Sequence, residues 1–253
     1  MTATKDSDTF SEGKKTYYKE NYTPIVLFVA VLSLNVFSFS HFLKLGEHLK
    51  GKVYFGEQIE YMDKYKYCFF TLWTFIFQLV FMIVAIMDEA AKLMKLPIST
   101  QNKLSKTRAV MFNTVLFPST LVVVSIFWTL WHIDRELVFP KVLDLFFPQW
   151  LNHMLHTFIL LPVIIEIMLP KKHNFVKFQK AAPALALLFL SYTILYFSLY
   201  FRHGVWLYPV YKVLTWPQRL LFSAAQLCGA LGYQKLGIVL QNSKRSQNKQ
   251  KVK

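Results

Sequence analysis

The sequence predicts an all-α, polytopic membrane protein with six transmembrane helices and both termini in the cytoplasm. Of its 253 residues, 54% are hydrophobic and only 17% are charged, whereas a soluble domain carries about 25% charged residues. The hydrophobic residues lie in blocks of about 18–24 nearly uncharged residues, the length of a membrane-spanning helix. Short charged segments separate these blocks. The composition excludes an ordinary soluble enzyme and a disordered chain, and the two cysteines exclude a disulfide framework.

The apolar blocks divide the chain into a polar N-terminal segment (residues 1–23), a transmembrane domain (24–241) and a basic tail (242–253). Lysines precede the first block without a small-residue cleavage site, so we expect this block to remain as an anchor rather than to be a signal peptide. Pro24 and Pro183 stand where proline suits the first turn of a helix. The six predicted helices are Pro24–Leu45, Tyr67–Met87, Val110–Trp131, Trp150–Leu169, Pro183–Phe201 and Leu220–Leu240.

The stretch from Ile133 to Gln149 is apolar but contains several charges and two prolines. It is too short and too charged to span a bilayer, so we predict a segment at the membrane interface. We expect Asp134, Arg135 and Asp144 to order this segment through ion pairs rather than to perform chemistry.

Lysine and arginine set the predicted orientation. The two terminal segments and the connections 88–108 and 170–182 contain 18 of them, against 10 in the other three connections when Lys44, at the end of the first helix, is included. Cytoplasmic loops are enriched in these residues, so both termini are predicted to be cytoplasmic. The net charge of +15 thus reflects membrane topology, and no nucleic-acid partner is expected. Lys249 and Lys251 fit a dilysine signal, which predicts the endoplasmic reticulum, with the plasma membrane as the alternative.

Polar residues at membrane depth are the candidates for chemistry, because they are costly to expose to lipid. Thr71, in the second predicted helix, and His156, in the fourth, enter from the same side, each about 6–9 Å into its helix. Histidine can remove the proton of a threonine hydroxyl, which makes the pair a minimal acyl-transfer site. Two other interpretations remain open at this point: structural hydrogen bonding by the threonine, and a metal held by His153 and His156. No cofactor motif is present.

Several motifs resemble the androgen-induced protein/androgen-dependent TFPI-regulating protein family. The strongest is the run WLNHMLHT at residues 150–157, preceded by DRE at 134–136 and PKVLD at 140–144. Supporting matches are FFT at 69–71, Gln78, FP at 117–118 and GVWLYP at 204–209. The resemblance extends from about Tyr67 to the last predicted helix.

The resemblance implies a multi-pass hydrolase that cleaves fatty acid esters of hydroxy fatty acids with a threonine nucleophile and a histidine base. By motif these residues are Thr71 and His156, with no cofactor or metal and with a lipid substrate taken from the bilayer. The chain departs from the family pattern at Thr74, where Asp or Asn is usual. We expect hydrogen-bonding or positioning roles for Asn152 and His153, and a pairing or packing role for Glu166. The main alternative is a non-catalytic membrane regulator or lipid-binding scaffold with a vestigial site; a transporter is a second.

Overall fold

The protein is all-helical in a computed structural model that describes residues 22–49, 56–169 and 176–250. No β-strand occurs in these ranges. Five helices in them are long and apolar enough to cross a membrane: Thr23–Leu45, Phe70–Leu93, Ile98–Leu137, Gln149–Met168 and Phe178–His203. They confirm an α-helical, multi-pass architecture. The sixth predicted span lies within a longer helix that is not among the five, so a count of six remains a prediction, as does the orientation.

The described part of the chain forms ten α-helices joined by short turns. The long helix α1 packs against α3, and α3 packs against α4. The last helix, α10, packs against α5 and α8. In chain order the helices are α1 (Thr23–Leu49), α2 (Glu57–Lys64), α3 (Phe70–Leu93), α4 (Ile98–Met111), α5 (Phe117–Asp134), α6 (Gln149–His156), α7 (Leu161–Met168), α8 (Phe178–His203), α9 (Val210–Val213) and α10 (Trp216–Gln250).

Several helix bounds differ from the predicted ones. The connection predicted at Asp88–Arg108 is largely helical, because α3 continues to Leu93 and α4 begins at Ile98. The second span begins at Phe70 rather than Tyr67, since Lys66–Cys68 is a 3-10 turn and Phe69 is extended. The fifth begins at Phe178, which places Pro183 inside α8. Hydropathy marks the apolar part of each helix and not its hydrogen-bonded ends.

Two prolines interrupt spans that were predicted as regular helices. Pro118 has no N–H to donate to the carbonyl of Thr114, and the turn before it, Phe112–Leu116, is a π-helix. Pro162 likewise cannot donate to Phe158, and the fourth span breaks at Thr157 into α6 and α7. A chain that leaves carbonyls unpaired inside a membrane needs other donors. Side chains of neighbouring helices supply them.

Helix α10 supplies such a donor to the π-helical turn. The Nε2 of Gln234 donates to the Thr114 carbonyl at 3.2 Å, and Gln241 Oε1 accepts from Asn113 at 2.9 Å. Gly237 lies between them on the same face, where an added Cβ would be 2.6 Å from the ring of Phe117. The predicted sixth span is therefore fitted tightly against the third.

A buried ion-pair cluster joins α3, α4 and α7. Arg108 binds Glu166 at 2.6 Å and Asp88 at 2.9 Å, and it also contacts Glu89. The side chains of Arg108 and Glu166 are at most 3% exposed. This confirms the pairing role predicted for Glu166. Arg108, predicted as a loop cation, is instead part of the interior, since α4 carries it back into the bundle.

Polar contacts order the segment after α5, through an ion pair as predicted for Arg135 and Asp144 and through a backbone hydrogen bond for Asp134. Arg135 forms an ion pair with Asp144 at 2.8 Å, and Asp134 Oδ1 accepts from the Glu136 amide at 2.9 Å. Two 3-10 turns, Arg135–Leu137 and Lys141–Leu145, make up most of the segment. They connect the end of α5 to the start of α6.

Candidate active site

Thr71 and His156 meet where two helices end. Thr71 is the second residue of α3, and His156 is the last residue of α6, directly before the break. The Oγ1 of Thr71 lies 3.4 Å from the Nε2 of His156. The predicted depth of 6–9 Å is wrong for Thr71, because α3 starts three residues later than the sequence indicated. The predicted pairing of the two side chains is nevertheless what the structure has.

Asn152 binds the other nitrogen of the imidazole. The Nδ1 of His156 lies 2.8 Å from the Oδ1 of Asn152 and 3.0 Å from its backbone carbonyl. Both partners are acceptors, so Nδ1 carries the proton in the neutral ring. The lone pair is then on Nε2, which faces Thr71. This is the tautomer that a base for the threonine hydroxyl requires.

Two aromatic side chains of α5 position His156, one through its ring and one through its backbone. Phe127 stacks on the His156 ring with centroids 3.6 Å apart and planes inclined by 8°. Trp128 donates from Nε1 to the His156 carbonyl at 3.0 Å. That carbonyl lies at the break between α6 and α7, where Pro162 interrupts the helical pattern. The ring is thus fixed by packing on its face and by a hydrogen bond to its backbone.

Two tyrosines fix the start of α3. The Phe70 amide donates to the hydroxyls of Tyr192 and Tyr208, each at 3.0 Å, and the two hydroxyls lie 2.9 Å apart. Tyr192 in turn donates to the Cys68 carbonyl at 3.1 Å. Burial raises the pKa of Tyr208 to about 12, so its hydroxyl stays protonated at neutral pH. First-turn amides have no partner within their own helix, and here the tyrosines provide one next to Thr71.

Thr71 and His156 face a cavity of about 200 Å³. Its walls come from eight helices (α1–α3, α5, α6 and α8–α10) together with the segment after α5, and most of the lining side chains are aliphatic or aromatic. The lining includes Met62 of α2, Phe139 and Leu143 of the segment after α5, and Tyr192, Tyr196 and Phe222 of α8 and α10. The cavity therefore offers apolar space next to the threonine.

The remaining polar residues of the two spans lie apart from the dyad. Gln78 donates to the Ile159 carbonyl at 3.0 Å, which satisfies an acceptor at the helix break. Thr74 is buried and does not line the cavity. His153 is exposed and binds Thr157 at 3.1 Å, while His41 packs on Trp150. Among the described residues no group of three or more His, Cys, Asp or Glu side chains has the arrangement of a metal site.

Sequence reasoning missed several residues that shape the site. Tyr192 was not singled out, because a tyrosine in an apolar helix resembles any other packing residue. Tyr208 belongs to the motif at 204–209, which marked it without giving it a role. Pro162, in the middle of a predicted helix, was the signal that could have located the break beside His156.

Comparison with known proteins agrees with the motifs. The sequence model of the FAR-17a/AIG1-like protein family matches residues 25–242. The chain belongs to this family. The match includes the first predicted span and all of the site residues. No solved structure matches the chain.

Curated members of the FAR-17a/AIG1-like family are similar to most of the chain. The androgen-dependent TFPI-regulating protein of Mesocricetus auratus is 34% identical over 156 residues, 62% of this chain and 67% of that protein. The protein of the same name from Mus musculus is 34% identical over 170 residues, 66% of this chain and 73% of that protein. The androgen-induced gene 1 protein of Homo sapiens is 28% identical over 160 residues, 61% of this chain and 67% of that protein.

Proposed function

We propose that this FAR-17a/AIG1-like protein is a carboxylic ester hydrolase that cleaves lipid esters with Thr71 as nucleophile and His156 as general base. The observation that carries the proposal is the contact between Thr71 Oγ1 and His156 Nε2, with the other imidazole nitrogen bound by Asn152. A nucleophile, a base and a group that orients the base are the minimum for nucleophilic acyl transfer. The same order of roles operates in hydrolases of unrelated folds.

The reaction would proceed in two acyl transfers. His156 Nε2 takes the hydroxyl proton of Thr71, and the oxygen attacks the ester carbonyl carbon. The resulting intermediate collapses, the bond to the alkoxy oxygen breaks, and the imidazolium returns the proton to the leaving alcohol. Water then loses a proton to Nε2 and attacks the acyl-threonine. The bond to Thr71 breaks, the carboxylic acid leaves, and the threonine regains its proton.

The lining of the cavity supports a substrate with long apolar chains. Most of the lining side chains are apolar, so an ester at Thr71 could place its acyl and alcohol chains against them. Fatty acid esters of hydroxy fatty acids have this form, and the family resemblance favours them. Such lipids partition into a bilayer, which is where the dyad's supporting helices are expected to lie.

Lipid binding without chemistry is the second candidate. The Thr71–His156 distance of 3.4 Å exceeds the 2.6–3.2 Å of a catalytic hydrogen bond, although such contacts are often longer before substrate binds. In this case the cavity would hold a lipid for a regulatory role. The name of the TFPI-regulating relatives describes regulation in those proteins.

Hydrolysis by purified protein separates the two candidates. The wild-type protein in lipid nanodiscs is given a branched ester of two fatty acyl chains, and the released fatty acid is measured by mass spectrometry. An esterase releases fatty acid catalytically, and Thr71→Ala does not. Saturable binding of the intact ester without turnover, equal in both proteins, would instead support the lipid-binding role.

A further inference from the structure

Two formally charged side chains, Asp63 and Lys66, are among the described residues that line the apolar cavity. The other lining side chains are uncharged, with His156 taken in the neutral form in which it can act as a base. Ligand pockets of this kind use a few polar groups to fix the orientation of a mostly apolar ligand. A charged pair in such a wall is therefore a candidate for the recognition of one particular part of the substrate.

The pair lies close to the nucleophile along the chain. Lys66 begins the 3-10 turn that leads into α3, five residues before Thr71, and Asp63 lies in the last turn of α2. The Nζ of Lys66 is 3.0 Å from Asp63 Oδ1, and the side chains are 18% and 41% exposed. Both side chains thus contact the cavity and the solvent, which is where a charged group attached to an apolar chain would be placed.

The Asp63–Lys66 ion pair contributes little to the stability of the fold. A partly exposed ion pair three residues apart contributes about 0–1 kcal/mol to folding. A lysine ammonium has three N–H donors, and the bond to Asp63 uses one of them. Lys66 can accordingly bind a second carboxylate beside Asp63, or exchange Asp63 for it with little loss of folding free energy.

We propose that Lys66 binds the free carboxylate of the lipid ester whose carbonyl reaches Thr71, and that Asp63 competes for the same ammonium. The assignment rests on the proposed hydrolase function and makes Lys66 a specificity residue for anionic over neutral esters. Asp63 positions the lysine when the cavity is empty. Substrate carboxylate exchanges with it on binding.

The test compares two esters that differ only at the far end of the hydroxy acyl chain, one with a free carboxylate and one with a primary amide. Lys66→Met should raise KM for the carboxylate ester about tenfold or more, because a hydrogen bond to a charged group is lost, and should leave KM for the amide ester unaltered. Asp63→Asn should lower KM for the carboxylate ester, since the competing anion is gone. Lys64→Met is the matched control, because Lys64 is an exposed neighbour that does not line the cavity.

The opposite effects of Lys66→Met and Asp63→Asn distinguish recognition from structure. If both variants weaken hydrolysis of both esters alike, the pair is structural and the proposal is wrong. A binding experiment keeps the test independent of catalysis: Thr71→Ala protein, with and without Lys66→Met, is titrated with a fluorescent polyene fatty acid and with its primary amide. Lys66→Met should weaken binding of the acid about tenfold and not that of the amide. Equal affinities of the two Thr71→Ala proteins for the acid would overturn the proposal. A wild-type protein that binds the acid but hydrolyses neither ester would overturn the hydrolase function alone.

Discussion

Thr71 Oγ1 lies 3.4 Å from His156 Nε2, although the two residues are 85 positions apart in the sequence. Each stands at the end of a helix and not inside one: Thr71 in the first turn of α3, and His156 at the break before α7. Helix ends have backbone donors and acceptors that need outside partners. Tyr192 and Tyr208 meet this need at the start of α3, and Trp128 meets it at the end of α6. These side chains also fix the positions of the two residues.

The first prediction concerns the nucleophile. Thr71→Ala should lower kcat for ester hydrolysis by at least about a thousandfold, because removal of a nucleophile abolishes the covalent route. Thr71→Ser should retain measurable activity, since the hydroxyl remains. Thr74→Ala is the control, one helical turn along α3 and outside the cavity lining. Fatty acid release is measured with purified proteins of equal thermal stability. If Thr71→Ala remains active and Thr74→Ala is inactive, the nucleophile is Thr74 and not Thr71.

The second prediction concerns the orientation of the base. Asn152→Ala should lower kcat with little change in KM, because it removes the side-chain acceptor that holds His156 Nδ1–H. Asn152→Asp should restore much of the activity that Asn152→Ala loses, and it should shift the acidic limb of the pH profile of kcat/KM to higher pH. A carboxylate beside Nδ1 stabilises the imidazolium, so a higher pH is needed to free the base.

A merely structural role for Asn152 gives a different result. In that case Asn152→Asp would change protein stability or yield and leave the acidic limb where it is in the wild type. In the double variant of Asn152→Ala with His156→Ala, we expect no loss beyond that of His156→Ala, since residues that act as a unit are not additive.

The sequence contained the two candidate residues but not the geometry that relates them. A run of apolar residues locates a span, and the WLNHMLHT motif locates His156, because both are local properties of the chain. The start of α3 at Phe70 depends on hydroxyls more than 100 residues away, so hydropathy could not place Thr71 in the first turn. The burial of Arg108 could not be predicted either, because it depends on the carboxylate of Glu166 in another span.

The third prediction concerns the buried ion-pair cluster. Arg108→Met should destabilise the protein by about 3–5 kcal/mol, because it removes the cation that binds the buried Glu166 and one of the two cations that bind Asp88. Adding Glu166→Gln to Arg108→Met should recover part of the loss. Lys92→Met is the control: Lys92 also binds Asp88, but its side chain is 38% exposed, so a loss of about 1 kcal/mol or less is expected. Unfolding in detergent is the measurement, and equal losses for the two substitutions would contradict the described burial.

The fourth prediction concerns the contact of α10 with α5. Gly237→Ala should destabilise the protein, since the added Cβ would be 2.6 Å from Phe117 Cδ1 and the buried ring has little room to move. Gly232→Ala, in the same helix with nothing near the added Cβ, should be neutral or stabilise by up to about 1 kcal/mol through helix propensity. The comparison tests whether the predicted sixth span packs on the third. Thermal unfolding that is unchanged by Gly237→Ala would mean that it does not.

Covalent labelling shows directly whether Thr71 is the nucleophile that would form the acyl-enzyme. Purified wild-type protein is treated with a lipophilic fluorophosphonate, digested, and analysed by mass spectrometry for the modified residue. We expect one dominant adduct on Thr71, absent from Thr71→Ala and strongly reduced in His156→Ala. An adduct on another residue, or labelling that persists undiminished in Thr71→Ala, would contradict this expectation.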